Sequence, residues 1–449
     1  MQTPRPTAGS TFDNLLLRLD GAPTPRCLAR WRWRALAVLI ALLSAAASSP
    51  AQAGNLISMD QAIDLALTHN HALQATRTLI LQNQAQEITA NLRPNPTFGF
   101  DSQFIPIFSP GSFSLDNLNV TQQFDVGIGY LFERGHKRQR RLQAARDQTS
   151  VTRAQVTDAE RTLIFNVGQQ FIAVLLAESS LQLAQQDLSS FQQTVDISET
   201  QYKSGFISEG DYLKIKLQLL QFQTDVSSAR LARVEALAGL RQLLGYEAVG
   251  ADFDVLGQLE YQPVKSSEDD LRALALRQRP DFRAAELGIT AAQSQILLAK
   301  ANSKQDVTGT YDFTHVSGQN TASVFVSFPL PIFDRNQGEI ARTRYALTQA
   351  QQQQQAASDI VLTDVTNAYE TVRSNDEVVK LYTSGYLKNS QDSRDISEYA
   401  YKRGAASLLD YLDAERSYRA VQLAYRQALA SYMTAVEQLK QAVGTRNLP

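Results

Sequence analysis

The chain has 449 residues, enough for two or three ordinary domains, but only 14 Pro and 22 Gly, a composition that favours long uninterrupted elements. Its formal charge of −2 leaves no electrostatic footprint for nucleic acid, and that partner class is excluded. The single cysteine, Cys27, precedes the apolar run described next, so processing there leaves a mature chain without disulfides, thiolate metal sites or cysteine nucleophiles.

In chain order, Arg30-Trp31-Arg32-Trp33-Arg34 is followed by an apolar run from Ala35 to Ala47 and by Ala51-Gln52-Ala53, an A-x-A cleavage pattern. The run is shorter than the ~20 apolar residues a spanning helix needs. The reading is a cleaved export signal after a polar lead-in over residues 1–29, with a mature chain from Gly54. Residues 1–53 hold six Arg and two acidic residues, which puts the mature chain at about −6 by subtraction.

Breakers and periodicity then predict a helix from about Ile57 to Leu92, stopped by Arg93-Pro94-Asn95-Pro96. Two strands follow, then a helix from about His136 to Tyr202 and another from Ser208 to Leu244. The order recurs as Glu268 to Asn302, two strands, Gln337 to Tyr401, and Ser407 to Val443. Each long helix, at roughly 65 to 67 residues, is about 100 Å long, which no compact domain contains. The two shorter helices of each half together match the long one, as if stacked end to end beside it in a tube wall. The expected division is a signal with N-terminal extension (1–53), a first structural repeat (54–245), a linker (246–266) and a second repeat of the same order (267–449).

The duplication is visible in the residues. Tyr202-Lys203-Ser204-Gly205 with Ser208, Asp211, Tyr212 and Leu213 returns as Tyr401-Lys402-Arg403-Gly404 with Ser407, Asp410, Tyr411 and Leu412. Gly205 and Gly404 can end a helix in a left-handed conformation, and Ser208-x-x-Asp211 and Ser407-x-x-Asp410 have capping-box spacing, so each copy reads as a helix-turn-helix tip. The last helix carries a 3-4 heptad in which Tyr411, Tyr418, Tyr425, Tyr432 and Leu439 alternate with Ala414, Val421, Ala428, Ala435 and Ala442, a coiled-coil seam. The long helix has a similar seam in Ile164, Val167, Phe171, Val174, Leu181, Leu188 and Val195.

The strands separate a tube from a plain coiled coil. Phe98, Phe100 and Phe104 alternate with polar residues and Gly; so do Val120, Phe124, Val126, Ile128 and Tyr130; Val307, Tyr311 and Phe313; and Ala322, Val324, Val326 and Phe328. Each run has about the 9 to 11 residues of a tilted membrane strand. Four strands cannot close a barrel, since the smallest have about eight, and an open edge in lipid leaves backbone groups unsatisfied. Oligomerisation is therefore required: a trimer gives about twelve strands and a wide lumen, a dimer about eight and almost none.

This architecture, with the repeated Tyr-x-x-Gly…Ser-x-x-Asp segment, resembles the TolC family of outer-membrane efflux proteins. The segments Glu133-Arg134-Gly135-His136-Lys137-Arg138 and Phe328-Pro329-Leu330-Pro331-Ile332-Phe333-Asp334-Arg335-Asn336-Gln337-Gly338 look most like its CzcC-like branch, which serves heavy-metal pumps of the resistance-nodulation-division type; Gly135-His136 departs from that branch's Gly-Gly. The resemblance implies a mainly α fold with a small β part: a coiled-coil α-helical barrel in the periplasm and four transmembrane β-strands per chain, completing a twelve-stranded β-barrel as a homotrimer in outer-membrane lipid. It also implies a periplasmic adaptor (membrane-fusion) protein and an inner-membrane pump as partners. By the same resemblance Asp410 and Asp413 line the periplasmic entrance constriction and Tyr401 links to Asp211 in its closure. Tyr202, Gly205, Ser208, Gly404 and Ser407 form the helix-tip turns that meet the adaptor, while Ala406 stands where some members have a gating Arg.

Against an enzyme stands the lack of a convincing nucleophile, metal or phosphate motif. His69-x-His71 has no carboxylate or Cys cluster beside it, His136 and His315 are isolated, and Gly127-x-Gly129 lacks the rest of a dinucleotide fingerprint. No catalytic, cofactor-binding or metal-ligating residue is assigned. A periplasmic coiled-coil scaffold would explain the heptads but leave the strands unused, and a channel for multidrug efflux or type I secretion remains an alternative to metal efflux.

Overall fold

The computed structural model describes residues 56–103 and 122–448. The expected export signal, Cys27 and the strand residues Phe104, Val120 and Thr121 lie outside the described residues.

Strand β1 (Leu56–Ile57) leads into α1 (Met59–His69), which Ser58 opens with a capping box: its hydroxyl accepts the Gln61 N–H, and the Gln61 side chain accepts the Ser58 N–H. The helix expected to run unbroken to Leu92 stops at Asn70, and α2 (His71–Asn91) starts afresh. Asn70 accepts the Leu73 N–H at 2.9 Å, and its amide donates to the Leu243 carbonyl at 2.9 Å. A side chain that satisfies nearby backbone competes with helix continuity, and nothing in the heptad pattern registers that competition.

After β2 (Thr97–Gln103) and β3 (Gln123–Phe132) come the 67-residue α3 (Lys137–Lys203) and α4 (Glu209–Leu244). The segment expected as plain linker holds β4 (Asp254–Val255), parallel to β1. In the second half α5 (Glu268–Gln278) and α6 (Pro280–Asn302) again replace one predicted helix. The break at Arg279 has a legible cause, because Pro280 disfavours a helical residue before it. Arg279, 3% exposed, donates to the Ala442 carbonyl and pairs with Asp281 at 2.6 Å and Asp364 at 2.8 Å. Both helix breaks therefore hand a polar side chain to a carbonyl near the end of a later helix.

Beyond β5 (Val307–Val316) and β6 (Gln319–Ser327), the predicted helix Gln337 to Tyr401 is α7 (Gln337–Leu381), a π turn (Tyr382–Tyr386) and α8 (Leu387–Lys402). Gly385 sits in the π turn at φ 138°, a conformation closed to ordinary residues. The last helix, α9 (Leu408–Val443), buries Tyr411, Ala428, Tyr432, Ala435, Leu439 and Ala442 of the expected seam.

Three apolar cores hold the helices. Ala62 and Ala66 of α1 meet Val167, Phe171 and Val174 of α3 and Leu240 and Leu244 of α4. Leu271 and Ala275 of α5 meet Val361 and Val365 of α7 and Tyr432 and Leu439 of α9. Near the tips, Phe191, Val195, Ile215, Phe222 and Tyr411 form the third, with Phe191 and Phe222 stacked at 4.4 Å. Each buried Val, Leu, Ile or Phe among them contributes roughly 1.5–3 kcal/mol, and each Ala less than about 1 kcal/mol.

The four longer strands form one antiparallel sheet in the order β2-β3-β5-β6. Its register lines up Phe98, Ile128, Tyr311 and Val324 in one cross-strand row and Phe100, Val126, Phe313 and Ala322 in another. On the opposite face lie Gly99, Gly127, Asp312 and Ser323, then Asp101, Asp125, Thr314 and Thr321. Within the protomer the apolar face is largely exposed, and both edges, β2 and β6, are unpaired among the described residues.

Candidate functional site

Each tip is built by local chemistry. At the end of α3, Gly205 takes φ +77°, its N–H donates to Tyr202 O at 2.9 Å, and the Phe206 N–H donates to Gln201 O at 2.9 Å. At the end of α8, Gly404 takes φ +74°, with Gly404 N–H to Tyr401 O at 2.9 Å and Ala405 N–H to Ala400 O at 2.8 Å. Both are Schellman closures, which satisfy terminal carbonyls only if one residue can be left-handed. The next helix then starts on a serine. Ser208 accepts the Asp211 N–H at 3.1 Å and donates to its carboxylate at 2.9 Å; Ser407 accepts the Asp410 N–H at 3.2 Å and donates to its carboxylate at 2.7 Å. Only Ser407-Asp410 completes the reciprocal box, with Ser407 N–H donating to Asp410 Oδ2 at 3.3 Å.

Tyrosines brace the two turns alike. Tyr202 stacks on Tyr212 with ring centroids 5.2 Å apart, and Tyr401 on Tyr411 at 5.4 Å. The Tyr411 hydroxyl lies 3.3 Å from Thr194 Oγ1 on α3, which ties the second tip to the first half.

Tyr401, Asp211, Ser208, Gly404 and Ser407 border one cavity of about 990 Å³ between the tips, walled otherwise by Phe206, Leu408 and Leu412 among others. Tyr202, Gly205, Asp410 and Asp413 do not line it. Asp410 and Asp413 are exposed, one turn apart on α9. The Tyr401 hydroxyl is buried beside Ser198 of α3, with no partner at full hydrogen-bonding geometry, whereas the Asp211 carboxylate is engaged by Ser208 and by Lys214 at 3.3 Å. Burial pushes the Tyr401 phenol up, opposed by Ser198 and aided by the negative charge of Asp211; the hydrogen bonds from Ser208 and Lys214 hold the Asp211 carboxyl down.

Sequence reasoning missed a charged cluster behind this cavity. Arg419 of α9 donates to Asp187 of α3 at 3.3 Å and pairs with Asp225 of α4, while its guanidinium covers the Phe222 ring at 4.3 Å. Glu415, 7% exposed, accepts no hydrogen bond among the described residues. Its neighbours are Arg394 and Glu398 of α8, Asp187 of α3 and Arg419; Arg394 lies over the Tyr418 ring at 4.5 Å. Burial above all pushes the Glu415 carboxyl up to about 7, with the Asp187 and Glu398 charges adding to it and both arginines opposing. Burial also raises Asp187, against the pull of Arg419. The only sequence signal was acidic and basic residues flanking the Tyr411–Tyr418 seam, which also describes a solvated helix face.

Long paired helices, a duplicated tip and an open four-stranded sheet with an exposed apolar face occur together here. The sequence profile of the Outer membrane efflux protein family matches residues 62–246 and 271–445. The chain belongs to that family. This outer membrane efflux protein is 22% identical over 404 residues to the cobalt-zinc-cadmium resistance protein CzcC of Cupriavidus metallidurans, covering 88% of this chain and 92% of CzcC. It is 24% identical over 418 residues to the pyoverdine export outer membrane protein OpmQ of Pseudomonas putida, covering 86% and 85%. A solved structure of CusC superposes with a TM-score of 0.72 at 19% identity, covering 89% of this chain and 96% of that one. The fold is accordingly that of a channel subunit, a helical barrel with a β-barrel part.

Proposed function

We propose that this outer membrane efflux protein is the outer-membrane subunit of a tripartite efflux system, exported by a cleaved signal and assembled as a homotrimer. A periplasmic adaptor and an inner-membrane pump of the resistance-nodulation-division type supply the substrate, and the channel conducts it passively. The observation that carries the reading is the sheet: exposed apolar rows through all four strands, two unpaired edges and antiparallel order. An edge in lipid leaves N–H and C=O groups without partners, so β6 of one copy pairs with β2 of the next, and three copies close about twelve strands.

Heavy-metal cations are the proposed substrate, supported by the CzcC similarity, which spans nearly all of both chains, and by the segments around Glu133 and Phe328. The OpmQ similarity supports a second reading in which the cargo is an organic molecule. Asp410 and Asp413, exposed and a turn apart, would form carboxylate rings in the trimer that attract cations and repel one another as the entrance narrows. Tyr401 and Asp211 border the same cavity, and a rearrangement of the tips that brings the phenol hydroxyl to the carboxylate would link the two.

Separation of inner and outer membranes, followed by light scattering on the detergent-extracted protein, tests the assembly. Three chains from the outer membrane are expected; a soluble periplasmic monomer or dimer would remove the barrel. Deleting the gene is expected to sensitise cells to cobalt, zinc or cadmium, whereas unchanged metal tolerance with lost export of an organic compound would favour the second reading.

A further inference from the structure

The helix-proximal ends of the strands carry a belt that the channel reading leaves unused. On β6 the apolar residues Ala322, Val324 and Val326 share one face, and their two-residue step continues past the strand end at Ser327 through Phe328, Leu330 and Ile332. These three are 57%, 67% and 60% exposed, and Phe333 is 89% exposed. Pro329 and Pro331 alternate with them and lack an N–H, so the stretch cannot extend the ladder and presents fewer donors that need water. An apolar stripe that outruns its hydrogen-bonded strand suits the boundary between acyl chains and headgroups. Within hydrocarbon its unpaired carbonyls would be too costly.

The same level is cationic. The Arg134 N–H donates to Asp306 at 2.9 Å, Lys137 donates to Asp306 at 2.7 Å, a Cβ on Gly135 would meet Lys304 Cβ at 3.0 Å, and the Asn336 side chain donates to Ala299 O at 2.7 Å. The segments that leave β3, enter β5 and leave β6 are thus packed together. Asp306 and Glu133 are taken by Lys137 and Arg141, while Arg134, Arg138, Lys304 and Arg335 make no ion pair among the described residues. Helix α3 begins with Lys137-Arg138-Gln139-Arg140-Arg141, without an acidic residue or a side-chain cap in its first turn, the reverse of what the helix dipole favours. By contrast α1, α4, α5 and α9 each have an acid there. Asp306 and Glu133 offset Lys137 and Arg141, and the charges of Arg138 and Arg140 are left for an anion from outside the described residues.

We propose that this belt anchors the channel to phospholipid. Phe328, Leu330, Ile332 and Phe333 enter the acyl–headgroup boundary of the leaflet facing the helices. Arg134, Arg138, Lys304 and Arg335 hold anionic phospholipid headgroups there, fixing the depth of the barrel. The occupant is a bilayer rather than a second copy, because the stripe is continuous with the apolar face of the sheet and because anionic headgroups complement the unpaired cations. The inference rests on the outer-membrane reading given above.

The test uses single indoles. The only tryptophans, Trp31 and Trp33, precede the expected cleavage site, so Leu330→Trp and Val326→Trp would each give exported protein with one fluorophore. Both oligomers are reconstituted in vesicles of phosphatidylcholine and phosphatidylglycerol whose acyl chains are brominated either near the headgroup or near the methyl end. Quenching of Leu330→Trp chiefly by the shallow bromines, with Val326→Trp quenched more deeply, is the expected result. If Val326→Trp is quenched and Leu330→Trp is not, a neighbouring subunit covers the segment and the proposal fails while the barrel stands. If neither is quenched, the barrel reading fails and takes the proposal with it. The combined Arg134→Gln, Arg138→Gln and Arg335→Gln variant should retain phosphatidylglycerol in native mass spectrometry at least about fivefold less well than the unaltered oligomer. Equal retention would overturn the role of the cations.

Discussion

Gly205 and Gly404 carry the tips because no other residue type takes φ +77° and +74° without cost, and an added Cβ would meet nothing nearby at either place. Gly404→Ala should therefore destabilise by backbone strain alone, about 1 kcal/mol, whereas Gly210→Ala, inside α4 at ordinary φ, should stabilise by roughly 0.5–1 kcal/mol. Thermal unfolding followed by circular dichroism checks the opposite signs. Glu415 offers a second test at this scale. Its folded carboxyl, raised to about 7 from an ordinary 4.5, holds a proton that the unfolded chain has already lost between those values. The burial cost is therefore absent below the unfolded pKa, grows as pH rises towards 7 and is constant above it. Glu415→Gln should leave stability unchanged near about pH 4.5 and raise it by an amount on the order of 3 kcal/mol above about pH 7.5. A variant no more stable at the higher pH would show that Arg394 and Arg419 already compensate the charge.

Among elements, α8 is the least secured. It buries none of its own residues, is joined to α7 through the π turn, and packs on α9 by way of Arg394 over Tyr418 and Tyr401 on Tyr411. By contrast α7 buries Val361, Val365, Ala368, Val372 and Val379. Amides from Tyr382 to Lys402 should exchange hydrogen faster than those from Val361 to Val379 in the assembled protein, since local opening there breaks few apolar contacts. Uniform protection along both stretches would show that neighbouring subunits clamp α8 as firmly as α7. The helix breaks at Asn70 and Arg279 act in the opposite sense, because each fastens a carbonyl near the far end of α4 or α9 and so ties helices distant in sequence.

In the whole molecule, the proposed threefold symmetry would give the exposed residues their meaning. Asp410 and Asp413 are exposed carboxylates in one protomer, and three copies around an axis would set their charges against each other. Replacing both with Ala should weaken block of the reconstituted channel by divalent cations or change its conductance, as planar-bilayer recordings would show. Identical block would remove them from the pore.

Much of this protein was written in its sequence because the relevant physics is local. Heptad spacing along Tyr411 to Ala442, alternation through Phe98 to Val326, and Gly followed by Ser-x-x-Asp at both tips each depend on residues within a turn or two of one another; the stop at Pro280 is equally local, although the predicted helix from Glu268 to Asn302 runs through it. The sequence also led to the expectation that four amphipathic strands need other copies to close. Asn70 as a break, the short β1–β4 pairing, the π turn at Gly385 and the Arg419–Asp187–Asp225 cluster were decided only by tertiary structure. Each depends on partners from 173 to 232 residues away or on packing between helices. A polar residue on a helix reads the same in sequence whether it meets water or a buried countercharge, and only the packed neighbours distinguish the two.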